Sequence, residues 1–358
     1  MSRPLVTFAL FAYSQERFIR EAVRGALAQT YSPLQIILSD DCSQDKTFEI
    51  MQEEANGYEG PHEIILNRNN RNLGNGGHVN RLIELAEGEL IVAAAGDDIS
   101  LPARTEELVK AWSNGGVVAA YSSVIVTDED GAARAIDRRK FAGASVGEHW
   151  RALIQRSHGV VLGASQAWDR TVFETFGPLP ESIRAEDYAL EFRSALLGKI
   201  AYVDEPLVRY RRHGSTIMGD DSVVADLPRF TRDRAALAQR LSVTYNSWLH
   251  DIPVFLSMRP EMENELLPAT EVIAAKMEFN RFKATVLEIG RRDRLRSGLR
   301  VIGDATKLGI KPIVQTCLLC VSPVMYYRML RRAYQTRNAL KPVLAGYSAL
   351  SDKDHRSN

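Results

Sequence analysis

The sequence predicts an α/β protein, with a mostly parallel sheet flanked by helices at positions 1–225 and a helical region after it. Three observations lead to this prediction. Short apolar runs alternate with amphipathic segments from the N-terminus to about Asp130, and several of the runs end in acidic residues. From about Asp226 onward the apolar spacing is almost entirely helical. Continuous apolar strands between amphipathic helices are typical of parallel sheets covered on both faces.

Each element is predicted from its own pattern. The strands are predicted at 6–11, 34–38, 62–66, 90–95, 117–127, 199–204 and 207–211, the last two separated by Glu205-Pro206. The helices are predicted at 18–27, 45–55, 79–86 and 186–197. Asp45 is the expected N-cap of the second helix, since Asp is a preferred cap. The stretch 140–185 gives no clear pattern.

The chain is predicted to divide near Gly219-Asp220-Asp221-Ser222 into a catalytic domain at 1–225 and a helical region at 226–358. The helical region is predicted to contain helices at 226–248, 259–289 and 294–308, and a disordered tail near 346–358. No repeat or low-complexity segment is apparent.

The charge balance hides an asymmetry between these two parts. The chain carries 45 Lys and Arg against 45 Asp and Glu, which argues against a general nucleic-acid binder. Residues 1–225 hold 23 basic and 32 acidic residues, a net −9, and residues 226–358 hold 22 and 13, a net +9. The basic excess is concentrated between Arg281 and Lys341.

The sequence indicates a cytoplasmic protein. Three cysteines are too few for a disulfide framework. No signal peptide is apparent, and no apolar run reaches the roughly 20 residues that span a bilayer. Cys317 and Cys320 have redox-motif spacing, but their apolar surroundings favour inert core thiols.

Residues 312–327 form an uncharged run inside the basic region. One interpretation is a segment lying in a membrane interface on the cytoplasmic face, with Tyr326 and Tyr327 at headgroup level and arginines on anionic lipid. The other is a buried helix that packs on the catalytic domain with a solvated basic face.

Acidic residues follow the predicted strands, where open α/β sheets bind ligands. Asp97 and Asp98 follow the fourth strand. They are suited to hold a divalent cation or, alternatively, to cap the helix that begins near Leu101. Asp40 and Asp41 follow the second strand and suit either a turn or a nucleotide base.

Glu186 and Asp187 open a helix, where simple complementation of the helix dipole is the alternative to a catalytic role. His213 is by itself as consistent with an ordinary surface histidine as with a metal ligand. The first strand is followed by neither G-x-G-x-x-G nor a P-loop, which counts against a dinucleotide Rossmann site.

The order of these motifs resembles the family-2 glycosyltransferases of GT-A fold, whose sheet is Rossmann-like and mostly parallel. The matching segments are Pro4–Ser14, Ala28–Tyr31, Ser39–Thr47, Glu87–Glu89 with Gly96-Asp97-Asp98, Glu186-Asp187 and Tyr210–His213. The resemblance extends from the N-terminus to about Ser215. The chain departs from the family where Cys42 replaces the usual Gly or Asn and where no acidic residue stands two positions before Asp98.

The resemblance implies a role for each matching position. The nucleotide is expected at Ala12, Tyr13, Glu16, Asp41 and Asp97, with Asp97 toward the ribose. Asp98 and His213 are expected to hold a metal ion. Asp187 is expected to be the catalytic base with Glu186 in support. The stretch around Gly163 and Trp168 falls at the donor and acceptor wall, although a core aromatic is the favoured interpretation of Trp168.

The resemblance therefore implies an inverting glycosyltransferase that uses Mn²⁺ or Mg²⁺. The expected donor is a UDP- or dTDP-sugar, and the expected acceptor is a glycan or lipid-linked hydroxyl, with an anionic membrane surface nearby and no nucleic acid. Two alternatives stay open. One is a nucleotide- or glycan-binding protein that kept the fold without catalysis. The other is a nucleotidyltransferase, which would need a Gly-rich basic first loop that this chain lacks. The sequence does not indicate an oligomeric state.

Overall fold

The computed structural model describes residues 3–138, 148–156, 161–213, 227–330 and 332. The predicted boundary at 219–222 and the predicted tail at 346–358 lie outside these residues. The chain forms two compact units, one of residues 1–220 and 243–273 and the other of residues 221–242 and 274–358. The division of the chain at position 225 stays a prediction.

A mixed sheet is the centre of the first unit. Within the described residues its strands are β1 (Val6–Ala12), β2 (Leu34–Asp40), β3 (Glu63–Arg68), β4 (Leu90–Ala95), β5 (Ile99–Ser100), β6 (Val117–Thr127), β7 (Ala133–Asp137), β8 (Gln166–Asp169) and β9 (Lys199–Arg211). Their order is β3-β2-β1-β4-β8-β6-β9-β5, and β7 pairs with β6. Strands β1 to β4 are parallel, and β8 is antiparallel to both of its neighbours. The predicted mostly parallel sheet is confirmed.

Helices cover this sheet. They are α1 (Ile19–Leu27), α2 (Thr47–Asn56), α3 (Gly74–Leu85), α4 (Arg104–Trp112), α5 (Glu148–Gln155), α6 (Thr171–Phe176) and α7 (Glu186–Leu197). The main apolar core lies between β1, β2 and β4 and the helices α1, α2 and α4. Every residue of β2 is buried, as expected of a strand that is covered on both faces.

Three sequence predictions about elements need correction. Asp45 is not the N-cap of α2, because the helix begins at Thr47 and Asp45, two positions earlier, accepts the N–H of Thr47. Neither Asp97 nor Asp98 caps α4, which begins at Arg104 without a side-chain cap. The predicted break at Glu205-Pro206 does not end the strand, since β9 continues to Arg211 and takes up the irregularity as a register shift against β6.

The remaining helices follow β9. They are α8 (Leu227–Met258), α9 (Glu263–Thr285), α10 (Arg291–Ala305) and α11 (Ile310–Val321), and residues 323–330 are also helical. The second unit has its own apolar core, which includes Phe279, Phe282, Leu319 and Tyr327. Within the described residues, no helix combines the length and the hydropathy needed to cross a bilayer.

Candidate active site

The carboxyl ends of β1, β2 and β4 meet at one edge of the sheet and bring the predicted nucleotide residues together. The N–H of Asp41 donates to the carbonyl of Ala12 at 2.9 Å, and the N–H of Gly96 donates to the carbonyl of Phe11 at 3.1 Å. Parallel neighbours place their following loops on the same side, so the residues after β2 and β4 flank the loop after β1. This edge is the candidate nucleotide site.

Asp41 is a buried carboxylate that organises the loop before α3. It accepts hydrogen bonds from Asn69 Nδ2 at 2.8 Å and from the backbone N–H groups of Leu73 and Gly74 at 2.8 and 2.9 Å. Its side chain is nearly inaccessible, since the residue is 2% exposed. Because an ionised carboxylate has about four acceptor positions, one remains for a further N–H donor.

The loop after β1 is joined tightly to the loop after β2. The Glu16 carboxylate accepts from the Lys46 N–H at 3.0 Å, while the Glu16 N–H donates to Asp45 at 3.1 Å. Ser14 and Cys42 both have positive φ, 53° and 64°, which is uncommon outside glycine. These bonds hold Tyr13 at the rim of the edge with half of its surface exposed.

Asp97 and His213 form a pair at the end of β4. The ring Nε2 of His213 lies 2.9 Å from Asp97 Oδ2. The His213 ring also packs on Phe18, with ring centroids 4.9 Å apart. The Asp97 side chain keeps 17% of its surface accessible. An oxygen and a nitrogen donor therefore face the same space at the carboxyl edge of the sheet.

Asp98 lies in a different environment, although it is the next residue. It is 5% exposed, and its carboxylate accepts a 2.8 Å hydrogen bond from the backbone N–H of Arg211. Burial, and after it the charge of Asp97, raises the pKa of Asp98 well above its ordinary value. The guanidinium of Arg104 is fully buried nearby. Burial lowers the pKa of Arg104, and the charge of Asp98 partly opposes that shift. Asp98 therefore anchors the end of β9 in the interior, and its expected role as the metal-facing member of the pair stays a prediction.

Glu186 and Asp187 form the first turn of α7. Asn75 Nδ2 donates to Glu186 Oε2 at 2.9 Å, which joins this turn to the start of α3. Asp187 Oδ1 accepts the N–H of Tyr188 at 3.0 Å. Gly163 packs directly against Asp187, since a Cβ at Gly163 would lie 3.2 Å from the Cβ of Asp187. A Cβ at this position would make a tight contact, so the glycine leaves room beside the carboxylate.

The environment of Asp187 favours its protonated form. Burial raises the pKa of Asp187 well above its ordinary value, and the charges of Glu186 and, to a smaller extent, Glu191 raise it further. Burial likewise raises the pKa of Glu186, while the hydrogen bond from Asn75 opposes that shift. A carboxylate with a raised pKa is better matched to general-base catalysis than an ordinary exposed Asp.

Trp168 is part of the core. It is 3% exposed in β8, its Nε1 donates to Gln166 Oε1 at 2.6 Å, and its ring packs edge-on against Phe173. The structure agrees with a core aromatic and offers no open face for stacking on a sugar.

The start of α3 contributes residues that the sequence reasoning missed. Gly74 donates to Asp41 and Asn75 donates to Glu186, so two successive residues join the nucleotide edge to the predicted base. His78, in the same helix, places its Nε2 2.6 Å from Ser39 Oγ. Burial lowers the pKa of His78 to about 4, although the charge of Asp41 acts to raise it. The available signal was the Asn- and Gly-rich run 69–77 between a strand and a helix.

Two solved structures share this fold. The first is TarS 1-349 of S. aureus in complex with UDP-GlcNAc, with a TM-score of 0.53, 13% identity and coverage of 92% of this chain and 91% of TarS. The second is the mannosyltransferase PcManGT from Pyrobaculum calidifontis in complex with GDP-Man and Mn²⁺, with a TM-score of 0.50, 17% identity and coverage of 92% and 87%. At these identities the likeness establishes the fold alone.

Curated relatives match at higher identity over shorter spans. An uncharacterized glycosyltransferase of Nostoc sp. strain PCC 7120 is 28% identical over 213 residues, 57% of this chain and 63% of the relative. An uncharacterized glycosyltransferase of Methanocaldococcus jannaschii is 31% identical over 134 residues, 37% of this chain and 45% of the relative. The chain thus spans less than two thirds of either relative.

The strand order and the flanking helices are those of a GT-A fold. The model of the family described as "Glycosyl transferase family 2" matches residues 7–167, which contain β1 to β4 and most of the acidic edge. Over that part of its length the chain is similar to glycosyl transferase family 2.

Proposed function

We propose that this protein is an inverting, metal-dependent glycosyltransferase that moves a sugar from a nucleoside-diphosphate donor to a hydroxyl of a glycan or lipid-linked acceptor. The observation that carries the proposal is Asp187, a carboxylate with a raised pKa beside a glycine, supported by Glu186. The nucleotide-sugar complexes of TarS and PcManGT support the donor class.

Asp187 acts as general base in this proposal. The acceptor oxygen attacks the anomeric carbon from the face opposite the diphosphate, and its proton passes to the Asp187 carboxylate. The bond from the anomeric carbon to the diphosphate oxygen breaks, and the diphosphate leaves with the electron pair. One displacement inverts the anomeric centre and needs no second carboxylate as nucleophile, unlike a retaining glycosidase.

Asp97 and His213 are the proposed ligands of Mn²⁺ or Mg²⁺. The Asp97 oxygen and the His213 nitrogen lie 2.9 Å apart. Carboxylate oxygens suit both Mn²⁺ and Mg²⁺, and a neutral imidazole is a common metal ligand. Within the described residues no group of three or more potential ligands is present, so phosphate oxygens of the donor are expected to complete the coordination. The cation, when bound, supplies Lewis-acid stabilisation of the charge on the leaving diphosphate.

The nucleotide is proposed to bind along the edge between Ala12, Tyr13 and Asp41. The two hydrogen bonds that Glu16 makes to the loop after β2 fix the loop after β1. Tyr13 exposes a ring face on which a base can stack. The proposed donor is a UDP- or dTDP-sugar, and Asp41 is proposed to act by holding the loop before α3 beneath the base. The free cysteines and the basic second unit favour a location at the cytoplasmic face of a membrane.

The test is release of nucleoside diphosphate from a panel of nucleotide sugars in the presence of Mn²⁺, for the wild type and Asp187→Asn. Asparagine keeps the shape but cannot accept the proton, so we expect turnover to fall by about 10²–10⁴-fold. Donor binding, measured by thermal shift, is expected to persist. Glu84→Gln, an exposed acid on α3, is the matched control and is expected to leave turnover unchanged.

Two outcomes would contradict the proposal. Wild-type turnover in Asp187→Asn would remove the base assignment. Donor binding by the wild type without hydrolysis or transfer for any donor would favour the alternative of a non-catalytic nucleotide-binding protein.

A further inference from the structure

Among the described residues of the second unit, one face is apolar and exposed. Along α11 the side chains of Ile310, Val314, Cys317 and Val321 are exposed, with 80, 50 and 66% of Ile310, Val314 and Val321 accessible. Their spacing of four, three and four residues places them on one side of the helix. The opposite side, with Leu319 and Cys320, packs into the core of the unit.

Exposed apolar side chains also follow α11 in the sequence. In the helical residues 323–330, Val324, Met325 and Met329 are about half exposed, while Tyr326 and Tyr327 are 5 and 1% exposed. We call the seven exposed residues the aliphatic face; they are Ile310, Val314, Cys317, Val321, Val324, Met325 and Met329. The expectation that the two tyrosines lie at a headgroup surface is wrong, because the break at Ser322 turns them inward. The expectation that Cys317 is a core thiol is also wrong.

The charged residues that lie next to the aliphatic face in the sequence have a single sign. The sequence has no Asp or Glu from residue 305 to residue 351, and it has seven Lys and Arg there. Among the described ones, Lys307, Lys311, Arg328 and Arg332 are exposed. Arg328 falls between Val324 and Met325 on the helical wheel and therefore within the face itself. Long basic side chains can keep their charge at a polar surface while their stems cover apolar surface.

We propose that the aliphatic face docks on the surface of a bilayer that contains anionic lipid. The aliphatic side chains enter the headgroup and acyl boundary, and the lysines and arginines meet lipid phosphates. A second copy of the chain is a poorer occupant, because a symmetric interface would bring the same basic residues together. Single-stranded nucleic acid is also poorer, since it binds by stacking on aromatic rings and the two tyrosines here are buried.

The test is co-sedimentation of the full chain with vesicles of phosphatidylcholine alone and of phosphatidylcholine mixed with phosphatidylglycerol. We expect binding to the mixed vesicles at low salt, weakening as salt is added. Val314→Asp combined with Val321→Asp places charges in the aliphatic face and is expected to weaken binding at least tenfold. Lys311→Glu combined with Arg328→Glu is expected to weaken it roughly 25-fold or more, since each basic residue near an anionic surface contributes about fivefold.

Matched controls come from the first unit. Leu267 is 50% exposed, as Val314 is, so Leu267→Asp adds a charge at an equally accessible apolar position. Lys199 is exposed on β9, so Lys199→Glu reverses a charge away from the face. Both are expected to bind like the wild type. All changed side chains are exposed, and thermal unfolding of each variant verifies the fold.

Three results would overturn the proposal. They are absence of wild-type binding to the mixed vesicles at low salt, equal binding to both vesicle types, and wild-type binding by both double variants. A dimer in sedimentation velocity that is lost in the Val314→Asp, Val321→Asp variant would assign the face to a second copy instead. None of these measurements depends on turnover, so they are independent of the proposed catalysis.

Discussion

The two units depart from the ordinary arrangement of side chains in opposite ways. In the first unit charged groups are drawn inside: Asp41, Asp98 and Arg104 are at most 5% exposed. In the second unit apolar groups are turned outward, with Leu299 72% and Val321 66% exposed. Buried charge costs free energy unless it is paired, and a contiguous exposed apolar patch marks an interaction surface.

The two proposals assign a different kind of binding to each departure. Buried carboxylates with directed donors are preorganised for a small charged ligand, whose geometry must be matched closely. An aliphatic stripe with basic residues needs no directed donor, because a lipid surface is fluid and is recognised by area and charge. The net −9 and +9 of the predicted catalytic and helical regions follow the same separation.

The largest expected effect comes from breaking a buried ion pair of the first unit. Arg193, on the helix that carries Asp187, donates to Asp251 through Nε at 3.0 Å and Nη2 at 2.9 Å, and both side chains are at most 3% exposed. Asp251→Ala leaves a buried charge unpaired and is expected to lower the free energy of unfolding by about 3–5 kcal/mol. Urea denaturation measures the loss.

Two further variants serve as controls for Asp251→Ala. Arg193→Met combined with Asp251→Leu removes both charges and is expected to recover much of the stability. Glu84→Ala removes an exposed pair with Arg81 and is expected to cost about 0–1 kcal/mol. If Asp251→Ala lowered the free energy of unfolding no more than Glu84→Ala does, the stability of the first unit would not depend on this buried ion pair.

The next effect separates two adjacent carboxylates. Asp97→Asn removes the proposed metal ligand and is expected to lower turnover roughly 100-fold, about 2.7 kcal/mol of transition-state stabilisation. It should also raise the Mn²⁺ concentration that gives half-maximal activity. Asp98→Asn keeps an acceptor for the Arg211 N–H and is expected to leave that Mn²⁺ concentration unchanged.

Activity titrated with Mn²⁺ decides between the two carboxylates. A raised Mn²⁺ requirement in Asp98→Asn with none in Asp97→Asn would restore the assignment that the sequence suggested.

The smallest expected effect is a shift in the pH dependence. The base must be ionised, so activity is expected to rise with pH as Asp187 loses its proton. Burial and the charge of Glu186 raise the pKa of Asp187, so this rise is expected at a pH above the ordinary pKa of an aspartate. Glu186→Gln removes one raising charge and keeps an acceptor for Asn75, so the rise should move to lower pH. Glu191→Gln removes a weaker contribution and should move it less.

The dependence of kcat on pH measures these shifts. A profile that does not move in Glu186→Gln, or that moves to higher pH, would contradict the role of the Glu186 charge.

Much of the first unit could be predicted from the sequence, because its strands are continuous apolar runs whose ends place polar residues at one edge. The predicted strands β1, β4 and β6 lie at or within a residue of their observed bounds. The environments of Asp97 and Asp98 could not be predicted. Asp98 accepts a hydrogen bond from the N–H of Arg211, 113 residues away, and no local sequence pattern predicts that contact.

The second unit shows the same limit in another form. Helical spacing predicted its helices, but it did not predict which side of each helix faces the core. The phase of the helix after Ser322 decides that Tyr326 and Tyr327 are buried while Val324 and Met325 are exposed. A break of one residue rotates every side chain that follows, and its angle is set by packing rather than by composition.

The way Asp41 holds its loop has a consequence for how this enzyme class can diversify. Two of its three partners are backbone N–H groups, those of Leu73 and Gly74, which nearly any sequence supplies. Asn70 and Arg71 in the same loop are exposed, so substitutions there leave that scaffold in place. The loop can therefore drift in sequence, or be randomised in a selection experiment for new donor sugars, while the carboxylate beneath it keeps the same shape.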